Sequence, residues 1–167
     1  MKKTLLLLIT ALMFASFSFV AHAEIDAAEF VEEASAKGLA NVEISRLALE
    51  KGSASTQEYA RKIINDHENV NQKLAEIATQ QNVEISNEPN MVAKAKKMML
   101  ELRDDSFDEA YASDQVEVHN ETIELFKNAA SADLGKLSEF ASETLPKLEE
   151  HLEMAKKLEQ EAAETNN

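Results

Sequence analysis

The chain has 167 residues, with 17 Lys+Arg against 31 Asp+Glu, no Cys and no Trp. The lack of cysteine excludes a disulfide framework, a thiolate metal site, a thiol nucleophile and a cysteine-linked lipid anchor. A net charge of −14 argues against a nucleic-acid binder, which needs a basic footprint, and against attraction to anionic lipid.

Residues 1–23 read as a cleavable secretion signal. Lys2-Lys3 precede the apolar run Leu5–Val20, and Ala21-His22-Ala23 supplies a small-x-small cleavage site before Glu24. Beyond it no apolar run approaches the roughly 18 residues of a membrane helix. The expectation is a protein placed in a bacterial periplasm, with residues 24–158 as one helical domain and 159–167 as an acidic, disordered tail.

Asp26-Ala-Ala-Glu29 is a capping box that opens a first helix, with Phe30, Ala34, Val42 and Ala48 at helical spacing and Gly52 as its stop. A second box, Ser55-Thr-Gln-Glu58, opens a helix whose stripe runs Tyr59, Ile63, His67, Val70, Leu74 and Ile77 before fading at Asn82. Residues 82–105 form a long link with Pro89 as a breaker and a short helical piece around Met91–Arg103. Its Lys94, Lys96, Lys97, Met98 and Met99 are the one basic stretch, read as an amphipathic surface helix packing its methionines. Ser106-Phe-Asp-Glu109 opens a third long helix carrying Phe107, Tyr111, Val116, His119, Ile123 and Phe126 on one face. Asp133 caps a fourth, with Leu137, Phe140, Leu148, Leu152 and Leu158, and Pro146 inside it is expected to kink it.

Short, long, short links predict two antiparallel hairpins joined by a crossover, the connectivity of a ferritin-like four-helix bundle. Gly38, inside the first helix, costs about 1 kcal/mol relative to Ala and marks a close helix approach. The hairpins also resemble each other: Asp66-His67 with Lys73-Leu74 spaces like Glu150-His151 with Lys157-Leu158.

One polar group interrupts each apolar stripe: Glu43, His67, His119 and His151. Buried without partners, such groups cost several kcal/mol, so they must bond one another, backbone, water or a metal. At 1.5 Å per residue, Glu43 lies roughly 16 Å and His67 roughly 20 Å below the first turn. His119 lies about 20 Å down as well, and His151 roughly 10 Å higher unless the Pro146 kink compensates. Imidazoles with a carboxylate suit Fe, Zn or Cu; the rival reading is a buried polar cluster that sets helix register. A di-iron carboxylate site needs Glu-x-x-His on two helices, whereas Ile64, Val116 and Leu148 stand three residues before the histidines. Asp66, Glu117 and Glu150 can orient second ring nitrogens, although neighbours on a helix point about 100° apart, which turns Asp66 and Glu150 toward lysines or water.

The segments FVEEASAKGLANVEISRLALEKGSA, YARKIINDHENVNQKLAEIA, FDEAYASDQVEVHNETIELFKNAA and LSEFASETLPKLEEHLEMAKKL together resemble a bacterial domain-of-unknown-function family over roughly residues 27–158. Its members are exported proteins, often labelled predicted outer membrane proteins and placed among ferritin-like folds. The resemblance implies a helical periplasmic domain and lends no activity, substrate or cofactor. The chain departs from the family pattern at Lys37-Gly38, where a Gly-Gly pair is usual, and at Val118, where an acid is common before His119.

Three functions fit these residues. The first is a non-enzymatic periplasmic protein acting in metal handling or envelope stress through the Glu/His cluster. The second is a ferritin-like oxidase with Glu43, His67, His119 and His151 as ligands. The third is an acidic helical binding or chaperone module. Partners stay open, a homodimer among them.

Overall fold

The computed structural model describes residues 25–104 and 106–165; the signal segment expected at residues 1–23 lies outside them. Among the described residues all regular structure is helical: α1 (Ala27–Lys51), α2 (Ala54–Gln81), α3 (Met91–Glu101), α4 (Phe107–Ser131) and α5 (Lys136–Thr165). Among the described residues no helix is long and apolar enough to cross a membrane.

The helix ends follow from side chains that satisfy the first backbone N–H groups. Asp26 accepts from the Glu29 N–H at 2.9 Å, as its capping box predicts. At α2 the cap is Ser53, two residues before the expected Ser55, and Gly52 follows α1 directly. Asn82 ends α2 in the left-handed conformation, φ 56°. Ser106 makes no side-chain cap; Asp108, inside its expected box, instead accepts from the Ser53 N–H across the α1–α2 turn. Helix α5 starts at Lys136 rather than at Asp133, because Gly135 adopts φ 60° and the Ser138 hydroxyl ties Leu134 and Ala132 into a turn. It then runs unbroken through Pro146 to Thr165. The expected disordered tail is thus helical from 159 to 165, with Ala162 buried.

Cross-helix pairs fix the directions. Phe30–Phe126, Lys37–Glu121 and Ser45–Tyr111 descend α1 as they ascend α4. Lys73–Glu143 and Asp66–His151 do the same for α2 and α5. With two residues between α1 and α2 and four between α4 and α5, every adjacent pair of long helices is antiparallel, and the segment carrying α3 returns the chain to the Gly52 end. Gly38 lies against α2, where a β-carbon would come within 1.9 Å of the Asn71 side chain.

Helix α3 corrects one expectation. Its lysines pair with Glu88, Asp114, Glu117 and Glu101, but Met98 and Met99 face outward and only Leu100 is buried.

The apolar core falls into two parts. One, near the α4–α5 turn, contains Phe30, Leu74, Phe126, Phe140 and Leu148. The other, near the α1–α2 turn, contains Ile44, Tyr59, Ile63, Phe107 and Tyr111. Between them every long helix buries polar side chains: Asn41 on α1, Asp66 and His67 on α2, Gln115 and His119 on α4, and His151 on α5. That polar layer holds the candidate site.

Candidate metal centre

His67, His119 and His151 meet in this layer. Their ring centroids are 5.4–5.6 Å apart, and one ring nitrogen from each lies within 4.8 Å of the other two. All three side chains are at most 3% exposed. Counting from Asp133 produced about half of the axial misfit expected of His151; α5 begins three residues later, at Lys136, which removes about 4.5 Å of it at the helical rise.

Hydrogen bonds on the far side of two rings fix which nitrogen faces inward. His119 Nδ1 lies 2.8 Å from the Gln115 carbonyl oxygen. A carbonyl only accepts, so Nδ1 carries the proton and Nε2 is left with its lone pair. His151 Nε2 lies 2.9 Å from Asp66 Oδ2. Burial alone would raise the Asp66 pKa, but bonds from His151, Lys62 and Lys147 outweigh it and hold the carboxyl well below the usual range. Asp66 is therefore an anion, His151 donates through Nε2, and its Nδ1 bears the free pair. The buried ring nitrogens with no partner among the described residues are His67 Nε2, His119 Nε2 and His151 Nδ1, one from each ring.

The rings are neutral at pH 7. Burial pushes the His119 pKa down to about 4. Burial, and then the neighbouring His119 and His151, lower that of His67. His151 is lowered by burial, with Asp66 opposing. Neutral imidazole is the form that ligates a metal, and a carboxylate behind a ligating histidine raises its basicity. A tetrahedral ion with Zn–N bonds of 2.0–2.1 Å spaces its ligands about 3.4 Å apart. Small rotations of rings now within 4.8 Å reach that spacing. Three neutral nitrogens without a carboxylate or thiolate suit Zn, Cu, Ni or Fe.

The four expected ligands divide. The three histidines converge. Glu43 does not join them: it is exposed and lines a groove with Arg46, Glu50 and Lys97. Apolar Leu39 and Leu47 at its i−4 and i+4 positions gave the misleading signal, because α1 buries a broad arc that also takes in Asn41, Val42, Ile44 and Ser45. Glu150 is exposed and pairs with Lys62 at 3.2 Å. Glu117 pairs with Lys96. Asp66 does two of the things open to it, binding lysines and orienting His151. The acid missing before His119 at Val118 is not needed, since the Gln115 carbonyl takes its place.

Sequence reasoning missed the polar shell around the rings. Gln115 donates from Nε2 to Asn41 Oδ1 at 3.1 Å, and the Tyr59 hydroxyl sits 3.4 Å from both Gln115 Oε1 and the His151 carbonyl. One turn further along α1, Ser45 bonds the Tyr111 hydroxyl at 2.9 Å. The signal was there. Gln115 stands on the i, i+4 row Phe107, Tyr111, Gln115, His119, and Asn41 on the small-residue row Ala34, Gly38, Asn41, Ser45, Ala48.

A family model described as Domain of unknown function (DUF4142) matches residues 15–158, most of the chain, and the chain belongs to that family. Comparison with curated proteins finds no match, and neither does comparison with solved structures.

Proposed function

We propose that this DUF4142 protein binds one transition-metal ion through His67 Nε2, His119 Nε2 and His151 Nδ1, inside a ferritin-like helical arrangement. The reading rests on a single observation: three clustered imidazole rings, one per helix, each hold a buried nitrogen with no partner, and one nitrogen of each lies within 4.8 Å of the other two. Leaving a buried polar atom unsatisfied costs about 1–3 kcal/mol, and a bound cation turns all three costs into bonds. The antiparallel pairs with a returning segment between them support the ferritin-like connectivity. The leader pattern of residues 1–23 supports export to the periplasm, where such a site would serve metal handling. Three ligands leave an open position, so a metal-dependent oxidase is the second reading, favoured by that vacancy alone.

The test uses untagged protein stripped with chelator and titrated with Zn(II), Cu(II) and Co(II) under competition. One equivalent bound, with loss of binding in His67→Leu and His119→Leu but not in Glu43→Gln, supports the site. Less than a tenth of an equivalent for every ion refutes it. Oxygen uptake by the iron-loaded protein separates the oxidase from the binder.

A further inference from the structure

The histidines come from α2, α4 and α5. The fourth long helix, α1, buries Asn41, with 1% of its surface exposed, against the Gln115 side chain, one turn of α4 from His119. Its Oδ1 accepts from Gln115, and its Nδ2 is buried without a partner. Gln115 therefore has two roles: its backbone carbonyl fixes the His119 tautomer and its side chain fixes the Asn41 amide. The amide is left offering a donor, not an acceptor. A donor does not ligate a cation; it binds something negative beside one.

Charge gives the same answer. A divalent ion on three neutral imidazoles would carry its full +2 between two apolar core clusters, and such a charge is costly unless compensated. Two acids here are largely withdrawn from water, Asp66 with 9% of its side chain exposed and Asp114 with 11%, and both are already paired: Lys62 and Lys147 contact Asp66 at 3.0 and 3.2 Å, and Lys96 contacts Asp114 at 3.2 Å. The protein supplies no free anion to the site. The compensating charge must arrive with the ligand.

Building on the metal reading, we propose that the open coordination position takes a small anion, of the hydroxide, halide or pseudohalide class, which accepts a hydrogen bond from Asn41 Nδ2. Each histidine is nearly inaccessible to solvent, which limits any such anion to a few atoms.

The test is an azide titration of the Co(II)-loaded protein followed through its visible d–d bands. Saturable azide-dependent change is expected, and Asn41→Leu should still bind one cobalt while its azide affinity falls about tenfold or more, the effect of losing one hydrogen bond to a charged group. Asn41→Asp, isosteric and itself anionic, should keep the cobalt and exclude azide. Bands insensitive to azide at full cobalt occupancy overturn the proposal, as does an Asn41→Leu protein with unchanged azide affinity; in both cases the metal site stands. Failure to bind cobalt at all overturns the metal reading and the anion with it.

Discussion

Lowering the pH of the metal-free protein should destabilise it through the histidine layer. His119 titrates near pH 4 in the fold and near 6.5 in the unfolded chain. Between those values the unfolded state holds the proton and the folded state does not, so stability rises with pH across the window. The contribution is complete above about pH 6.5 and is lost as the pH falls through 4. At 1.36 kcal/mol per pH unit, this depression amounts to about 3 kcal/mol from His119 alone. His67 and His151 are also lowered and add in the same direction. The carboxyls of Asp66 and Glu121, both held low by their lysines and in Asp66 by His151 as well, lose their contributions at still lower pH. Urea unfolding at half-unit steps from pH 7 to 4, with chelator present, measures the loss. His119→Leu isolates it, because that variant should lose about 3 kcal/mol less over the same range. Parallel wild-type and variant curves would show that the ring is not neutralised by burial, and the reasoning would fall.

Other perturbations read separate parts of the layer. His67→Leu removes an unpartnered buried nitrogen and should leave chelator-treated stability within about 1 kcal/mol of wild type, or raise it, while abolishing metal binding; urea midpoints and metal titration check both halves. Asp66→Asn removes the anion behind His151 and should weaken metal affinity about 10–100-fold, measured by competition with a chromophoric chelator. Metal at 100 times its dissociation constant should stabilise the fold by about 2.7 kcal/mol, raising the thermal midpoint by roughly 5–10 °C; an unchanged midpoint counts against binding. Ser45→Ala and Tyr111→Phe should each cost about 1 kcal/mol, and the double variant less than their sum, since either change breaks the same 2.9 Å bond.

The long helices were legible because their signals are local. Asp26 caps as its motif requires, Gly52 and Asn82 stop α1 and α2, and the apolar spacing places the three histidines inward. What depended on tertiary context was not legible. The start of α5 is decided by a Gly135–Ser138 turn that competes with the Asp133 cap, and three residues of error there supplied about half of the offset that set His151 apart from its partners. Glu43 misled for a related reason. When nearly half of a helix circumference is buried, apolar neighbours at i−4 and i+4 no longer say which polar residue faces in; Asn41, two positions earlier, is the one that does. The methionines of α3 follow an amphipathic pattern, yet the ion pairs of Lys96 with Asp114 and Glu117 turn the opposite face toward the other helices.

The rival to a metal site is a polar layer that merely sets helix register, and the two differ in what they require of the hydrogen bonds. A register device works by satisfying its members, so that any slip breaks bonds; the Ser45–Tyr111 and Gln115–Asn41 contacts have that character. The imidazoles do not. Each of two rings is held from behind by a strong acceptor, and each of the three keeps an inward nitrogen with nothing to bind. At about 1–3 kcal/mol apiece, three such atoms together cost as much as the net stability of a small domain, about 5–15 kcal/mol, can tolerate. Ring-on-ring contacts near 5.5 Å return only about 0.5–1.5 kcal/mol each at best. A layer that served register alone could carry leucine at one of these positions, as the apolar clusters above and below it carry aliphatic side chains such as Leu74, Leu148 and Ile63. Two lone pairs fixed by outer partners, beside a third unpartnered ring nitrogen, are what a ligand set needs and what a scaffold does not.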